Sequence, residues 1–304
     1  MNKYKEAIKY PKIFRSKLFY RVTLLFSPII SSDKTYLKLQ YFLRMNRVLN
    51  LKNPKSYTEK LQWLKLYDRK PLYNTLVDKF EVKKYVAEKI GDEYVIPTLG
   101  VWDSVDDIEF NRLPQQFVLK CTHDSGGVII CKDKSTFDID YAKRSLNKSL
   151  KDNYYKKTRE WPYKDLQRRV IAEKYIEIDG IAVLNDYKFF CFNGEVKLMF
   201  IATDRGIDTH FDFFDRNFKH LDIVNGHPMS GKLIEKPIGF DRMVEIAEKL
   251  SKGLPQIRVD LYDVNGEIYF GEMTLFHWGG MMPFEPKKWD YTMGEWLTLP
   301  YSSK

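Results

Sequence analysis

The feature that most constrains this chain is a pair of strand-like runs near its carboxyl end, joined by a turn sequence. Residues 257–262 and 268–275 alternate apolar with polar side chains, as a half-buried strand does. Between them stands Asp263-Val264-Asn265-Gly266. Asp-x-Asn-Gly favours a type I turn followed by a left-handed glycine, which closes a hairpin with a three-residue loop. The sequence therefore predicts an antiparallel hairpin whose pairing is set by this turn.

The hairpin collects polar residues on one face. With a loop at residues 264–266, Asp260 pairs with Phe270. In the same register, Arg258 pairs with Glu272. A two-residue loop would shift the pairing by one and move Glu272 to the side opposite Asp260. The predicted charged face therefore consists of Arg258, Asp260, Glu272 and Thr274.

Two interpretations of the charged face are open. Two neighbouring carboxylates beside an arginine suit a hard cation bound next to a polyphosphate. The alternative is a cross-strand salt bridge between Arg258 and Glu272. The opposite face of the hairpin carries apolar residues such as Val259 and Met273, which can supply the core. The charged face is then available for another use.

A second candidate site lies at residues 117–130, where two strand-like runs flank a loop of small residues. The loop contains Ser125, Gly126 and Gly127. Glycines allow backbone N–H groups to approach phosphate oxygens closely, and Lys120 on the first run would supply the countercharge. An ordinary hairpin loop has the same composition. A third run, 170–176, has the extended backbone that can read a purine edge, or is simply the end of a strand.

Helical and extended segments are mixed along the chain without regular βαβ alternation, which predicts an α+β protein. The predicted helices are 38–49, 58–67, 82–90, 141–150 and 240–250, with Ser56 or Thr58 as the cap of the second. The predicted strands are 117–122, 128–132, 170–176, 187–192, 196–203, 257–262 and 268–275. Aromatic clusters inside the strands, such as Phe189 and Phe190, indicate core packing.

The basic character of the chain belongs to its amino end. Residues 1–70 contain 17 Lys or Arg and four Asp or Glu, although the whole chain has a net charge of +9. Apolar side chains such as Phe14 and Leu18 stand among lysines and arginines there, a pattern that suits an anionic membrane surface. An amphipathic helix packed on the protein, or one that binds a polyanion, is the alternative. The apolar run 22–30 is about half the roughly 20 residues of a membrane span.

Several classes of protein are disfavoured. The three cysteines form no Cys-x-x-Cys pair, so neither a disulfide framework nor a zinc ribbon is predicted, and a reducing cytosol fits best. No zinc-finger or RNP-type spacing is present, and we expect no nucleic-acid partner. The only Asp-x-Asp, at Asp138 and Asp140, precedes a predicted helix, where Asp138 is more simply an N-cap than part of a nucleotide-sugar site.

In this order, the three candidate segments resemble the ATP-grasp superfamily, and most closely the TupA-like ATP-grasp proteins of bacterial surface-polysaccharide clusters. The likeness begins at the sequence EKLQWLKLYD of residues 59–68 and ends at the loop 277–283. Between them it includes Asp78-Lys79, Ile96-Pro97, the Arg-x-Asp strand and the Gly-Glu-Met-Thr strand. The resemblance implies two α+β lobes that clasp ATP, at residues 78–169 and 170–304, after a basic helical region at residues 1–77.

The resemblance also implies a role for each candidate residue. Phosphates would be contacted by Lys79, Lys120 and Lys188, with the loop of Ser125, Gly126 and Gly127 closing over them. Adenine would be held by Glu173 and the backbone near Ile176. Arg258 would stabilise the transferring phosphoryl group, and Mg²⁺ would bind Asp260 and Glu272. Thr274 stands where an asparagine ligand is common.

The implied reaction is the ATP-dependent joining of a carboxylate to an amine through an acyl phosphate. The acceptor would be a uronic acid of a capsule or other acidic surface polysaccharide, or its nucleotide-linked or lipid-linked precursor, and the donor an amino acid or amine. His277, Gly279 and Gly280 would contact the acceptor. We expect a cytoplasmic protein, peripheral on the inner membrane face. A glycosyltransferase, a sugar kinase, or a non-catalytic polysaccharide-binding or membrane-binding protein are the alternatives.

Overall fold

The computed structural model describes residues 8–124, 126–176, 184–204 and 208–300. Its strands form two antiparallel sheets, one of four strands in the order β1-β4-β2-β3 and one of six in the order β10-β9-β5-β6-β7-β8. The strands are β1 Thr98–Trp102, β2 Phe117–Cys121, β3 Val128–Cys131, β4 Val170–Lys174, β5 Asp186–Phe192, β6 Glu195–Thr203, β7 His210–Asp215, β8 His220–Leu221, β9 Gln256–Val264 and β10 Glu267–Thr274. The predicted α+β class is confirmed.

Helices cover these sheets and also form most of the amino-terminal region. They span Pro11–Phe26, Asp33–Met45, Tyr57–Tyr67, Leu72–Val77, Glu81–Ile90, Ile139–Lys151, Tyr154–Thr158, Phe240–Ser251 and Lys288–Trp296. In the described part of the chain, no helix is both long enough and apolar enough to cross a membrane.

The six-stranded sheet is buried on both faces because alternate residues of β5 pack in opposite directions. Phe189 contacts Phe240 of the Phe240–Ser251 helix, with ring centroids 6.1 Å apart. Phe190 and Phe192 point the other way and meet Tyr57, at 6.4 Å and 5.7 Å. The Tyr57–Tyr67 helix is therefore part of the main core, and the aromatic clusters are core residues as predicted.

Two predicted helix starts are explained by their caps. Ser56 begins the Tyr57–Tyr67 helix with a capping box in which its side chain and that of Glu59 satisfy each other's backbone N–H groups. The helix predicted at 38–49 instead spans Asp33–Met45, because Ser32 caps it earlier and Asn46 ends it in the left-handed region, with φ 55°. Asp138 accepts a hydrogen bond from the Tyr141 backbone N–H at 2.8 Å, so its predicted N-cap role is confirmed.

The boundary predicted after residue 169 divides the smaller sheet. β4 pairs with β1 on one side and with β2 on the other. The connection between the two sheets therefore follows Lys174 and not residue 169. The predicted amino-terminal region at residues 1–77 is not a separate unit either, since Leu61 and Leu76 are buried in the same cluster as β5 and β9.

The loop of the carboxyl-terminal hairpin differs from the predicted one. Asn265 and Gly266 have φ angles of 56° and 92°, and Val264 pairs with Glu267, so the loop has two residues and the predicted register was wrong. A β-bulge at Gly271 then inserts one residue into β10. The bulge adds a second one-residue shift, so the side chains of β10 that follow it return to the predicted face.

Because of the bulge, Glu272 pairs with Asp260 and Thr274 pairs with Arg258. The four residues of the charged face therefore share one side of the sheet, as predicted, although by a different pairing. A Cβ atom at Gly271 would lie 3.1 Å from the Asp260 carbonyl oxygen, which favours glycine at the bulge.

Gly294 lies where the Lys288–Trp296 helix packs closely on the start of the Tyr57–Tyr67 helix. A Cβ atom at this position would lie 2.9 Å from the Tyr57 backbone nitrogen and closer still to the Lys55 carbonyl oxygen. Gly→Ala inside an unconstrained helix usually stabilises by about 1 kcal/mol. Here Gly294→Ala forces two backbones apart, and we expect the free energy of unfolding in urea to fall by about 1–3 kcal/mol.

The matched control is Glu295→Ala, at an exposed position of the same helix. It should change the free energy of unfolding by no more than about 0.5 kcal/mol. A Gly294→Ala protein that is more stable than the parent would contradict the close approach of the two helices.

Candidate active site

A row of side chains crosses four strands of the six-stranded sheet. Phe200 on β6 pairs with Lys188 on β5, which pairs with Asp260 on β9, which pairs with Glu272 on β10. Side chains of directly paired residues lie on the same face of a sheet. The pairing therefore brings one ammonium group and two carboxylates together without any contribution from loops.

Phe200, Lys188 and Glu272 of this row line a cavity of about 260 Å³, whereas Asp260 is buried and is not part of its lining. Its wall is mostly charged and aromatic. The charged and hydrogen-bonding residues that line it are Lys79, Asp124, Glu160, Lys188, Arg258, Glu272, Thr274 and His277. The aromatic ones are Tyr154, Tyr163, Phe200, Phe211, Phe276 and Trp278.

Arg258 is the centre of the charged face. Its Nε and Nη2 donate to the two carboxylate oxygens of Asp260 at 2.6 Å and 2.7 Å. Nη2 also donates to Glu272 Oε1 at 3.0 Å and to Thr274 Oγ1 at 2.9 Å. A bidentate guanidinium–carboxylate pair fixes both groups in one plane. The salt bridge between Arg258 and Glu272 is therefore present, but as one contact of a larger network.

The pKa values of the two carboxylates of this network are shifted in opposite directions. Burial raises the pKa of Asp260 above its ordinary value despite the opposing charges of Arg258 and Lys188. For Glu272 the balance is reversed: burial raises its pKa, but Lys188 and Arg258 outweigh this, so the pKa falls below its ordinary value. Its side chain is 43% exposed, towards the cavity. Glu272 is thus the more accessible and more firmly ionised carboxylate.

His277 holds Arg258 from the other side. Its Nδ1 lies 2.6 Å from Arg258 Nη1, which can only donate, so Nδ1 accepts and Nε2–H donates to Asn225 Oδ1 at 2.8 Å. The Asn225 amide in turn donates to the carbonyl oxygens of Met282 and Pro283. Burial and the charge of Arg258 lower the pKa of His277 well below its ordinary value. A neutral His277 therefore positions the arginine, and neither ring nitrogen is left for the predicted acceptor contact.

The glycines after His277 shape a loop that the Tyr57–Tyr67 helix holds in place. Gly279 and Gly280 have positive φ angles of 64° and 63°. Lys65 Nζ donates to the Gly279 carbonyl oxygen at 2.8 Å, and Gln62 Nε2 donates to the Gly280 carbonyl oxygen at 3.0 Å. The EKLQWLKLYD sequence thus contributes to the site through these two side chains. An acceptor contact by the glycines stays a prediction.

Lys79 reaches the cavity from the connection between the Leu72–Val77 and Glu81–Ile90 helices. Its ammonium group contacts the backbone oxygen of Asp124 and lies 3.5 Å from Asp124 Oδ1. Asp124 begins the glycine loop, in which Gly126 has φ 97° and a Cβ atom at Gly127 would clash with the Asp124 carboxylate. Ser125 lies outside the described residues. The structure therefore places Asp124, at the start of this loop, in the same cavity wall as Glu272, and the phosphate contact of the loop stays a prediction.

Lys120 belongs to a separate cluster. It contacts Glu173 Oε2 at 2.6 Å, while Lys83 contacts Glu173 Oε1 at 2.6 Å. Burial raises the pKa of Glu173, but these two lysines outweigh it and the pKa falls. Arg258 lines the 260 Å³ cavity and Lys120 does not, so the two predicted catalytic residues do not share this cavity.

The predicted adenine contacts are not decided by this arrangement. Both oxygens of Glu173 are engaged by lysines. Ile176 is half-buried just after β4, and the acidic stretch that follows it lies outside the described residues. The roles of both residues stay predictions.

Several residues of the site were not identified from the sequence, among them Tyr154, Glu160, Tyr163 and Asn225. Most stand on irregular connections or short helices where no periodic pattern marks them. Asn225 and His277 are 52 residues apart, and only the tertiary fold joins them.

The chain is similar to known proteins over most of its length. A family model described as TupA-like ATPgrasp matches residues 59–298. No curated protein matches. Similar solved structures include the D-alanine–D-alanine ligase from Bacillus anthracis, with 20% identity, 66% of this chain covered and a TM-score of 0.39. This chain spans 57% of the length of that ligase.

Two further structures show similar levels of likeness. The D-alanine–D-alanine ligase from Helicobacter pylori has 16% identity, with 80% of this chain and 70% of the ligase covered and a TM-score of 0.42. A D-cycloserine synthetase has 18% identity, with 75% and 72% covered and a TM-score of 0.41. The family match covers most of the chain and confirms the resemblance found in the sequence. The chain therefore belongs to the TupA-like ATP-grasp family, and its two antiparallel sheets form the α+β fold of that family.

Proposed function

We propose that this protein is an ATP-dependent ligase that joins a carboxylate to an amine through an acyl phosphate. The observation that carries the proposal is the row Lys188, Asp260 and Glu272 with Arg258 bonded across it. Such a face offers positive charge for a polyphosphate beside carboxylates for a hard cation. Lys79 adds a further positive charge at the wall of the same cavity.

The residues present fit Mg²⁺. Glu272 lines the cavity, and carboxylate oxygens are the ligands that this ion prefers. Asp260 is the direct cross-strand partner of Glu272, but both of its oxygens accept from Arg258 and one also contacts Lys188, so it would have to exchange these contacts to bind the ion. Thr274 fits less well, because its hydroxyl already accepts from Arg258 and lies 3.2 Å from Glu272 Oε1. Within the described residues no group of three or more His, Cys, Asp or Glu side chains is arranged so that it could hold a metal ion. Two protein ligands are compatible with Mg²⁺, which commonly keeps several waters and uses substrate phosphates.

In the proposed reaction, a carboxylate oxygen attacks the γ-phosphorus of ATP, and the bond from that phosphorus to the β-phosphate oxygen breaks to release ADP. Bound Mg²⁺ would neutralise phosphate charge. Arg258 stabilises the charge on the transferring group and, held by His277 and Asp260, needs no reorganisation at that moment. The amine then attacks the acyl carbon, and inorganic phosphate leaves.

We further propose that the carboxylate belongs to a uronic acid of a capsular or other surface polysaccharide, and that the amine is an amino acid or similar molecule. Trp278 supports a sugar, because it lines the cavity with 37% of its surface exposed. It packs beside Phe211 and His227, at 6.3 Å and 6.0 Å between ring centroids. A fixed indole face is a suitable platform for the C–H face of a pyranose.

The alternative functions, a glycosyltransferase or a sugar kinase of the same polysaccharide pathway, are less well supported. The Asp138 cap explains the Asp-x-Asp sequence without a nucleotide-sugar site. A sugar kinase would use the same ATP-binding residues and differs only in its product. An amide with ADP and phosphate supports ligation, whereas a phosphorylated sugar would support a kinase.

The Arg258 network generates a prediction about turnover. Arg258→Lys keeps the charge but loses the bidentate fork, so we expect ADP release to fall by about 10²–10³-fold. The assay contains ATP, Mg²⁺, glucuronic or galacturonic acid and hydroxylamine, which traps acyl phosphates as hydroxamates. Arg242→Lys is the matched control, because Arg242 is exposed and bonds Tyr94 and Glu245 outside the cavity. Unchanged turnover in Arg258→Lys would contradict the assignment.

The Pro11–Phe26 helix supports a place at the inner membrane face. Its buried residues are Ile13, Ser16 and Thr23, two of them polar, and Ser16 Oγ donates to the Met281 carbonyl oxygen at 2.6 Å. Leu18 and Leu25 point outward and are 49% and 70% exposed. The exposed apolar residues of this surface, the outer stripe, are Phe14, Leu18, Leu25, Phe26 and Ile29.

Basic residues accompany the outer stripe, including Lys12, Lys17 and Arg21. Apolar side chains with flanking positive charge match a bilayer that contains anionic lipids. We therefore propose peripheral attachment on the cytoplasmic face, where a lipid-linked acceptor would be within reach.

Vesicle binding tests the outer stripe. Leu18→Asp/Leu25→Asp should weaken binding to phosphatidylglycerol vesicles by at least about tenfold in a sedimentation assay, because two apolar contacts are lost and two negative charges are added. Leu233→Asp/Ile238→Asp is the control, since both residues are about nine-tenths exposed elsewhere on the surface. Equal binding by both double variants, or no preference for phosphatidylglycerol over phosphatidylcholine, would contradict the proposal.

A further inference from the structure

Glu160 is a buried carboxylate in the cavity wall that the proposed ATP chemistry does not use. Only 3% of the residue is exposed, and in the described part of the chain its Oε1 has no hydrogen-bond partner. A buried carboxylate without a close partner is unfavourable and uncommon. Because Glu160 lines the cavity, its carboxylate is a candidate for contact with a substrate.

The nearest cation does not satisfy it. Lys65 Nζ lies 3.9 Å from Glu160 Oε1, beyond hydrogen-bond distance, and donates to the carbonyl oxygens of Thr158 and Gly279. A structural salt bridge between two buried groups would be expected to close to direct contact. Burial raises the pKa of Glu160, and the charge of Lys65 opposes this without cancelling it.

Aromatic rings line the same cavity as the Glu160 carboxylate. Tyr154 and Tyr163 line the same cavity with their centroids 4.6 Å apart, and Trp278 lines it as well. Burial, followed by the charge of Glu160, raises the pKa of Tyr154 and Tyr163, so both rings lie within electrostatic range of that carboxylate. A carboxylate among aromatic rings is a favourable environment for an organic ammonium ion.

The charge of Glu272 also contributes to the raised pKa of Tyr154 and Tyr163. The two tyrosines are therefore close to both carboxylates of the cavity. Glu272 is bonded to Arg258, whereas Glu160 Oε1 has no bonded partner. The cavity thus combines a cation-rich part suited to phosphate with a carboxylate suited to an amine.

We propose that Glu160 binds the ammonium group of the amine substrate and accepts a proton from it. This inference rests on the proposed ligase function. The ammonium ion transfers a proton to the Glu160 carboxylate, and the freed nitrogen lone pair forms the C–N bond to the acyl carbon. The bond from that carbon to the phosphate oxygen breaks, and the departing phosphate takes the second proton from the nitrogen and leaves as hydrogen phosphate. The raised pKa of Glu160 makes it a better proton acceptor than an exposed glutamate.

Ligand-dependent melting tests the binding step without turnover. The probes are an equimolar mixture of the twenty protein amino acids with ethanolamine and, as the control, the N-acetyl derivatives of the same compounds, which lack the ammonium group. We expect the free amines, but not the acetylated ones, to raise the Tm of the parent protein, and Glu160→Gln to abolish this rise. An unchanged rise in Glu160→Gln, or none in the parent, would overturn the proposal.

The Glu160→Gln change leaves Lys65 as an unpaired buried charge, which can destabilise the protein by itself. The double variant Lys65→Met/Glu160→Gln removes both charges and should fold while still failing to respond to amines. A double variant that responds like the parent would also overturn the proposal. Glu245→Gln is the control for loss of a carboxylate on the exposed surface.

Turnover separates this proposal from the ligase function. Hydroxylamine is uncharged at neutral pH and needs neither ammonium recognition nor proton removal. Glu160→Gln should keep hydroxamate formation within about threefold of the parent, and lose amide formation with the amino acids by about 10²-fold or more. Equal losses in both reactions would indicate a structural role and overturn the proposal. A parent enzyme that makes no hydroxamate refutes the ligase function, and Glu160 is then judged by melting alone.

Discussion

A buried guanidinium group must have all of its charge and most of its donors satisfied, and the carboxyl-terminal sheet is organised to do this for Arg258. Asp260 accepts hydrogen bonds from Arg258 Nε and Nη2. Glu272 and Thr274 also accept from Nη2, and His277 accepts from Nη1. Asp260 lies on β9, Glu272 and Thr274 lie on β10, and His277 lies in the loop that follows. Loss of the Asp260 carboxylate would leave the buried guanidinium without its bidentate partner, which is far more costly than the loss of an exposed salt bridge.

The same requirement connects distant parts of the chain. The His277 tautomer is set by Asn225, and the loop that carries His277 is held by Lys65 and Gln62 of the Tyr57–Tyr67 helix. That helix also covers one face of the six-stranded sheet. The amino-terminal region therefore supports the charged face and is not only an addition to an ATP-binding core. This explains in physical terms why the family match begins within this helix.

The sequence was informative where periodicity decides the structure. Strand alternation correctly placed Arg258, Asp260, Glu272 and Thr274 on one face, but the loop and register were wrong, and only the bulge at Gly271 restored the expected side. A bulge leaves little local signal, because one extra residue in a strand of mixed polarity resembles an ordinary irregularity. β1, β7 and β8 were not predicted. β1 is only partly buried and β8 has two residues, so neither has a clear alternating pattern.

Long-range placement was the other limit. The separation of Lys120 from Arg258, the Asn225–His277 contact and the position of Glu160 all arise from how loops return to the sheet, which no local pattern encodes.

We propose that the residues of the charged face promote transfer of the γ-phosphoryl group of ATP to a carboxylate. The direct measurement is turnover of a uronic acid labelled with ¹⁸O in its carboxylate, with hydroxylamine or amino acids present. We predict that one ¹⁸O atom appears in the released inorganic phosphate in each turnover. Unlabelled phosphate would contradict phosphoryl transfer to the carboxylate, and so would a phosphorylated sugar that keeps both labels in its carboxylate.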